Sequence, residues 1–339
     1  MKDRFSNDLV IITLLAFITG SVMVYKSFPF EKKKDKATIS NTNQWNAPDI
    51  NMLDNSETAN LIRYGRALIA NTAAYLGPRG SVASLSNGMN CQNCHLNAGT
   101  KLYGSNFALV ASSYPKYRNR SGRMESVEFR INECMERSMN GKKLDSLSRE
   151  MQAIVAYLKW VGKDIKKGTR PAGTGVDELP LLDRAANAAN GHIIYLSKCK
   201  ICHGATGEGT PAPDSIGYSY PPLWGENSYN VSAGLYRITR LAHFIKHNMP
   251  YSPLQPAQEL TGEEAWDVAA FVNSQTRPKK NLSKDWPKIS GKPVDHPFGP
   301  YTDKFSEKQH KYGPFEPIAE FKKKEKKEKE KNKKADKKY

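Results

Sequence analysis

Cys91-Gln92-Asn93-Cys94-His95 and Cys199-Lys200-Ile201-Cys202-His203 share the pattern Cys-x-x-Cys-His, in a chain of 339 residues. In this pattern the two thiols bond covalently to the edge of a porphyrin, and the adjacent histidine is placed to ligate its iron. A lone Cys-x-x-Cys could be a redox dithiol or half of a zinc site, but two copies that each end in histidine make both alternatives poor. The sequence therefore predicts two covalently bound haem c groups. The predicted attachment and iron-ligating residues are Cys91, Cys94, Cys199, Cys202, His95 and His203.

Each motif lies between two segments in which apolar residues recur at helical spacing. Residues 57–75 and 183–198 precede the motifs, and residues 148–163 and 261–274 follow them. The repeated order of helix, motif and helix indicates an internal repeat of two mono-haem domains.

A glycine interrupts both preceding segments at matching places, Gly65 and Gly191. Because a helical glycine costs about 1 kcal/mol relative to alanine, the pair predicts a close crossing of two helices in each domain. The alternative is that both glycines are accidental. The last of the four segments begins with Thr261, and Glu264 three residues later completes a predicted capping box.

This bracketing resembles the cytochrome c fold, in which two terminal helices cross near the haem edge. The predicted fold is mostly α, with two tandem cytochrome c-type haem domains at residues 57–166 and 181–275. The boundary between them falls in residues 167–180, which are rich in Gly, Pro and Thr. Residues 276–320 are rich in proline and aromatic residues and are interpreted as an extended wrap over the second domain.

The N-terminus contains an apolar run at residues 9–25, at the lower length limit of a membrane-spanning helix. The run is also long enough for a signal-peptide core, but no clear Ala-x-Ala cleavage site follows it. We therefore expect a membrane anchor within residues 1–30 and a polar linker at residues 31–56. The lysines after the run would lie in the cytoplasm by the positive-inside rule. Haem attachment takes place outside the bacterial cytoplasm, however. We therefore expect the two haem domains to lie on the periplasmic side of the inner membrane. The alternative is a soluble periplasmic protein after signal cleavage.

The C-terminus is strongly basic, in a chain whose formal net charge is +17. Residues 321–339 are rich in lysine and have no apolar face worth burying, so they are expected to be disordered. They could serve solubility only, or contact an acidic partner or an anionic surface. Nucleic acid is not an expected partner of an exported haem protein.

The second haem needs an iron ligand opposite His203, and the candidates are His243, His247 and Met249. Met249 precedes Pro250 at the end of a predicted helix, which resembles the methionine-ligand loop of cytochrome c domains. A thioether ligand raises the reduction potential relative to a second histidine, which suits the haem from which electrons leave. Met249 is therefore the predicted ligand, with His243 or His247 as the alternative.

The first haem has a cysteine among its candidates for the second ligand. If residues 125–140 form a helix, Arg130, Cys134 and Ser138 lie on one face at i, i+4 and i+8. Neighbouring guanidinium groups favour a thiolate below the usual cysteine pKa of about 8.5, and a thiolate is a haem ligand. Cys134 is therefore the predicted ligand. The alternatives are that Cys134 is a small buried apolar residue, or that Met135 or Met139 ligates.

Residues 88–100 and 130–141 resemble the di-haem thiosulfate dehydrogenase / tetrathionate reductase family, and the resemblance extends over residues 57–275. In that family the active-site haem has His/Cys ligation, and the other has His/Met ligation or a lysine that exchanges with the methionine. The resemblance implies that Cys134 is the active-site ligand. Around it would lie the remaining candidate catalytic residues, Arg120, Arg130 and Ser138. Asn248 rather than lysine precedes Met249 here.

The resemblance also implies a reaction, the interconversion of thiosulfate and tetrathionate. Arg120 and Arg130 would hold the sulfonate ends, since a guanidinium can bond two oxygens at once. Electrons would pass through the second haem to a partner cytochrome or other carrier. The alternative role for the arginines is ordinary salt bridging to Glu125, Glu128 or Glu133. Two other functions compete: an anchored electron-transfer cytochrome without its own substrate, and a haem subunit of a sulfur-oxidation complex that acts on a carrier protein.

Overall fold

A computed structural model of the chain describes residues 44–251 and 259–335, which are mostly helical. The α-helices of these residues are α1 (Glu57–Ala70), α2 (Thr72–Leu76), α3 (Leu96–Gly99), α4 (Val110–Ser113), α5 (Val127–Arg137), α6 (Arg149–Val161), α7 (Ala188–Lys198), α8 (Lys200–His203), α9 (Ile238–Asn248), α10 (Gly262–Ser274), α11 (Glu307–Tyr312) and α12 (Glu316–Ala335). Short 3-10 turns span Ile50–Met52, Cys91–Asn93, Gly234–Tyr236 and Ile289–Gly291. Two antiparallel strand pairs are β1 (Lys116–Arg118) with β2 (Arg123–Glu125), and β3 (Thr210–Pro211) with β4 (Tyr218–Tyr220).

The first domain is built on a crossing of α1 and α6. Ser56 and Ser148 cap these helices with their side-chain oxygens. A Cβ atom on Gly65 would overlap the carbonyl oxygen of Ala153, so only glycine allows the two backbones to approach this closely. The crossing buries Tyr157 completely, and the core of the domain forms around it.

The second domain repeats this crossing with α7 and α10. A Cβ atom on Gly191 would overlap the carbonyl oxygen of Asp267. Thr261 and Glu264 form the predicted capping box, with Thr261 Oγ1 accepting from the Glu264 N–H at 3.1 Å and Glu264 Oε2 accepting from the Thr261 N–H at 2.7 Å. The predictions of a close helix crossing at both glycines and of this capping box are confirmed.

We expect Gly191→Ala to destabilise the protein by about 3 kcal/mol, because a side chain forced into a packed backbone contact separates the helices. Gly262→Ala is the matched control, since a Cβ atom there meets nothing within 4 Å. Chemical denaturation of the haem-loaded protein measures both changes. Equal stability of the two variants would contradict the close crossing.

The segment after α10 runs over both domains. Phe315 and Ile318 are buried in the second core, where the Phe315 ring lies 5.9 Å from that of Trp266. Asp285 instead forms an ion pair with Arg137 of the first domain. The predicted wrap over the second domain therefore also contacts the first, and it contains α11 and the start of α12.

The prediction of a disordered tail is wrong as far as Ala335, because α12 extends through this part of the tail. Glutamate and lysine are good helix formers, and they stand four apart in the pairs Glu325–Lys329 and Lys326–Glu330. Ile318 fastens the first turn of the helix to the second core. Composition predicted disorder because the tail has no apolar face. The tail instead continues a helix whose first turn is packed in the second core through Ile318.

The N-terminal predictions fall mostly outside the described residues, which begin at Gln44. The predicted anchor within residues 1–30 lies in the part not described. Among the residues that the structure describes, no helix is long and apolar enough to cross a membrane. Trp45, which the sequence analysis assigned to the linker, is buried in the first core, and its N–H donates to the carbonyl of Ala172 at 2.9 Å.

Candidate active site

The first Cys-x-x-Cys-His motif is held by the first residues of α2. The Cys91 N–H donates to Thr72 Oγ1 at 3.0 Å, and Asn90 Oδ1 accepts from the Ala73 N–H at 2.8 Å. His95 Nδ1 hydrogen-bonds to the carbonyl of Ser105. With its proton on Nδ1, the ring presents a bare Nε2, which is the form that ligates a metal.

Cys134, on α5, lies against the first motif. Its thiol lies close enough to the His95 imidazole for that ring to influence the pKa of the thiol. Burial raises the pKa of Cys134, but Arg130 and His95 outweigh burial and lower the pKa to about 7. Burial raises the pKa of Cys91 to about 11 and of Cys94 to about 12. Cys134 is therefore chemically distinct from the two thiols of the motif, since it favours the thiolate.

This arrangement fits a haem c. Cys91 and Cys94 offer two thiols for attachment, His95 offers Nε2, and Cys134 offers a thiolate next to that imidazole. Met135 and Met139, the alternative ligands, are buried in the first hydrophobic core.

Three arginines surround Glu133, the residue before Cys134, and share its carboxylate. Glu133 lies 2.9 Å from Arg137, 3.6 Å from Arg120 and 4.0 Å from Arg130. Burial and the charges of Arg137 and Arg130 lower the pKa of Arg120 to about 10. The charge of this buried cation is thus only partly offset by Glu133, at 3.6 Å.

Arg130 has a second role beside the thiol. The Cys134 thiolate raises the pKa of Arg130, so each group favours the charged form of the other. Ser138 follows α5 directly, and its N–H donates to the carbonyl of Cys134 at 2.9 Å. The structure thus brings Arg130 and Ser138 to the neighbourhood of Cys134. It brings Arg120 to Glu133, which pairs with the arginines as the salt-bridge alternative predicts.

Two residues of this site were missed by the sequence analysis. Asp285 forms two hydrogen bonds with Arg137, at 2.7 and 2.8 Å, across 148 positions of sequence. The ring of Trp286 lies 5.9 Å from the guanidinium of Arg120. Neither residue belongs to a motif or a periodic segment, so no local signal could have found them.

The second motif has the same histidine arrangement. His203 Nδ1 hydrogen-bonds to the carbonyl of Pro221 at 2.9 Å, which again leaves Nε2 for a metal. Met249 follows α9 and packs against the second core. Of the two alternative ligands, His243 is buried with its ring centroid 6.2 Å from that of Trp266, and His247 lies 3.8 Å from Asp177.

The residue before Met249 is held by the first domain. Asn248 is buried, and its side chain accepts from Lys101 Nζ at 2.7 Å and donates to the carbonyl of Tyr103 at 3.1 Å. The Tyr251 hydroxyl, two residues beyond Met249, is 3.0 Å from Asn97 Oδ1. The loop after the first haem motif thus holds the predicted ligand loop of the second haem.

We expect Asn248→Ala to weaken the ligation of the second haem by Met249, since it removes both bonds to the first domain. The far-red thioether-to-iron band of the oxidised protein should weaken, and the potential of that haem should fall because methionine ligation raises it. Tyr251→Phe is the control that removes only the contact with Asn97. An unchanged band in Asn248→Ala would show that Met249 needs no such support, or is not the ligand.

Two Cys-x-x-Cys-His motifs, each in its own helical domain with a crossed pair of helices, define a di-haem c-type cytochrome. The SoxA/TsdA cytochrome c domain family matches residues 81–166, and the cytochrome c family matches residues 188–276. These matches confirm the predictions of two cytochrome c domains and two covalently bound haem c groups.

Curated relatives identify the family more closely. The thiosulfate dehydrogenase of Stutzerimonas stutzeri is 31% identical over 80% of this chain and 87% of its own. That of Allochromatium vinosum is 37% identical over 63% of this chain and 77% of its own. That of Psychrobacter arcticus is 39% identical over 60% of this chain and 61% of its own. The chain belongs to the thiosulfate dehydrogenase family.

A solved structure has the same fold. It is the thiosulfate dehydrogenase (TsdBA) of Marichromatium purpuratum in its "as isolated" form, which is 30% identical to this chain with a TM-score of 0.63. The likeness covers 69% of this chain and 50% of that one. The matched part thus spans about half the length of the solved protein.

Proposed function

We propose that this protein interconverts thiosulfate and tetrathionate at its first haem site. The observation that carries the proposal is the environment of Cys134: a buried thiol with a pKa of about 7, beside Arg130 and against His95. A pure electron carrier needs neither a nucleophilic sulfur nor a charged pocket around it. The names of the relatives support the same reaction.

Thiosulfate is a dianion, and the site has fixed positive charge to receive it. The guanidinium groups of Arg120 and Arg130 bind the sulfonate oxygens, because planar forks form paired charge-assisted hydrogen bonds. Both arginines are only loosely paired with Glu133, at 3.6 and 4.0 Å, so an anion can displace that contact. The outer sulfur of the bound thiosulfate then faces Cys134.

The covalent step joins two sulfurs. The Cys134 thiolate and one thiosulfate form a Cys-S-S-sulfonate adduct and release two electrons. A second thiosulfate attacks the adduct sulfur that is bonded to Cys134 Sγ, as in thiol–disulfide exchange. The bond to Sγ breaks, so tetrathionate forms and Cys134 leaves as a thiolate. The haem groups, when bound, supply one-electron acceptors for the two electrons on their way to a partner carrier.

The direct test is the stoichiometry of the haem-loaded protein with an artificial electron acceptor. Two thiosulfate ions should disappear for every two electrons accepted, and one tetrathionate should appear. The reverse reaction should run with a reduced donor. Absence of both reactions would contradict the proposal and favour an electron carrier without its own substrate.

The location of the protein is part of the proposal. Attachment of haem to Cys-x-x-Cys-His takes place outside the bacterial cytoplasm, which supports the periplasmic side of the inner membrane. Residues 9–25 would anchor the chain there. Membrane fractionation of cells with the complete chain, and of cells with a chain lacking those residues, distinguishes an anchored protein from a soluble periplasmic one.

A further inference from the structure

Residues 282–291 form a strap that lies beyond both matched cytochrome c domains and returns to the first one. The backbone N–H of Trp286 donates to the carbonyl of Arg120 at 2.6 Å. Pro287 packs against Gly122, where a Cβ atom would leave it no room. Trp286 has φ +61°, a left-handed conformation that costs a non-glycine residue about 1 kcal/mol. The strap is therefore held in one shape against the β1–β2 turn that carries Arg120.

The same strap places a carboxylate in the arginine cluster. Asp285 binds Arg137 through both oxygens, at 2.7 and 2.8 Å, and both side chains are about nine-tenths buried. Arg137 also donates to Glu133 Oε1 through Nε at 3.0 Å. Its hydrogen-bonding capacity is thus largely used by two carboxylates. Among the residues that the structure describes, the only carboxylate within 4.0 Å of Arg120 or Arg130 is that of Glu133, through its more distant Oε2.

We propose that Asp285 is a positioning residue of the first site, which occupies Arg137 so that only Arg120 and Arg130 bind the substrate anion. The inference rests on the proposed function. Three guanidinium groups and two carboxylates leave a net charge of +1 in the cluster. Without Asp285 the charge rises to +2. Arg137 keeps its contact with Glu133, but Nη1 and Nη2 lose their bonds to Asp285 and can take a sulfonate one helical turn from Cys134. The anion is then held more tightly, but in the wrong place for sulfur–sulfur bond formation.

This role predicts a separation of kcat from KM. In Asp285→Asn, kcat for thiosulfate oxidation should fall by about tenfold, while KM should not rise. Ordinary damage to the site would instead raise KM. Binding of sulfate, an unreactive dianion, should become at least about threefold tighter in a calorimetric titration of the oxidised holoprotein, because the site gains a positive charge.

Two further variants complete the test. Asp285→Asn with Arg137→Gln should recover part of kcat and return sulfate affinity towards that of the wild type, since the misplaced guanidinium is gone. Glu136→Gln is the matched control: Glu136 is on α5 and pairs with Lys280 at 3.6 Å, but it has no ion pair with the arginines. It should change neither kcat nor sulfate affinity by more than about twofold.

The outcomes separate the two proposals. Wild-type turnover of thiosulfate tests the function by itself, and the sulfate titration compares the variants even where turnover is absent. Unchanged or weaker sulfate binding in Asp285→Asn, or a raised KM, would overturn the positioning role. If Asp285→Asn does not assemble with haem, Asp285→Glu keeps the charge and should retain sulfate affinity within twofold of the wild type; a larger change would equally overturn it.

Discussion

We expect replacement of Cys134 with alanine to lower thiosulfate turnover by about 10³-fold or more, because the proposed mechanism needs a thiol that no other residue can supply. Cys91 and Cys94 are committed to haem attachment, and burial raises the pKa of both. Alanine is chosen because it preserves α5, in which Cys134 lies. The measurements are thiosulfate consumption, haem content and the absorption spectrum of the oxidised protein. Both haems should be retained, and the spectrum of only one should change.

Met135→Leu is the control for this variant. It keeps the volume of a buried side chain next to Cys134, so it should cost less than about 1.5 kcal/mol of stability. Its turnover and spectrum should match those of the wild type. If Met135→Leu changes the first haem and Cys134→Ala does not, the methionine is the ligand and the covalent mechanism is wrong.

The sequence predicted the parts of the fold that depend on local spacing. Gly65 and Gly191 stood out because glycine is costly in a helix, and the structure shows backbones in contact at both. Arg130 and Cys134 could be paired in advance because α5 has a helical period. Arg130 and Cys134 lie on one helix, and Gly65 and Gly191 lie at matching places in a repeat. Spacing along the sequence was therefore enough to predict both features.

The rest depended on contacts between distant parts of the chain. Arg137 and Asp285 are 148 residues apart, and the strap that joins them has neither periodicity nor a motif. Its shape is set by the left-handed turn at Trp286 and by the space that Gly122 leaves. The lysine- and glutamate-rich composition also led to the wrong prediction of a disordered tail. The tail is helical as far as Ala335 because it continues α12, which Ile318 anchors in the second core.

The three contacts of Glu133 explain how three neighbouring guanidinium groups can lie close together without a bound anion. One carboxylate close to three guanidinium groups reduces their mutual repulsion, which otherwise contributes to the lowered pKa of Arg120. The longer contacts, at 3.6 and 4.0 Å, are weak enough for a sulfonate to replace. In the proposed mechanism, Glu133 would occupy Arg120 and Arg130 until the substrate anion binds.

Arg130→Ala should lower kcat/KM for thiosulfate by about 10²-fold, since a charge-assisted hydrogen bond contributes about 1.5–3 kcal/mol. Two effects combine in this variant. The anion loses one of its two binding forks, and the Cys134 thiolate loses the neighbouring charge that most favours it. Arg120→Ala lacks the second effect, so it should act mainly through KM. Steady-state kinetics over a range of salt concentrations measure both.

The comparison that decides between substrate binding and simple charge steering is Arg66→Ala. Arg66 is an exposed arginine of the first domain, so its loss removes the same formal charge without touching the cluster. Charge steering acts over the whole surface and fades with salt, so Arg66→Ala and Arg130→Ala would then have similar, salt-sensitive effects. Arg130→Lys keeps the charge but loses the planar fork, and it should recover little of the lost kcat/KM. If lysine restored full activity, the sulfonate would be held by charge alone and paired hydrogen bonding at Arg130 would be wrong.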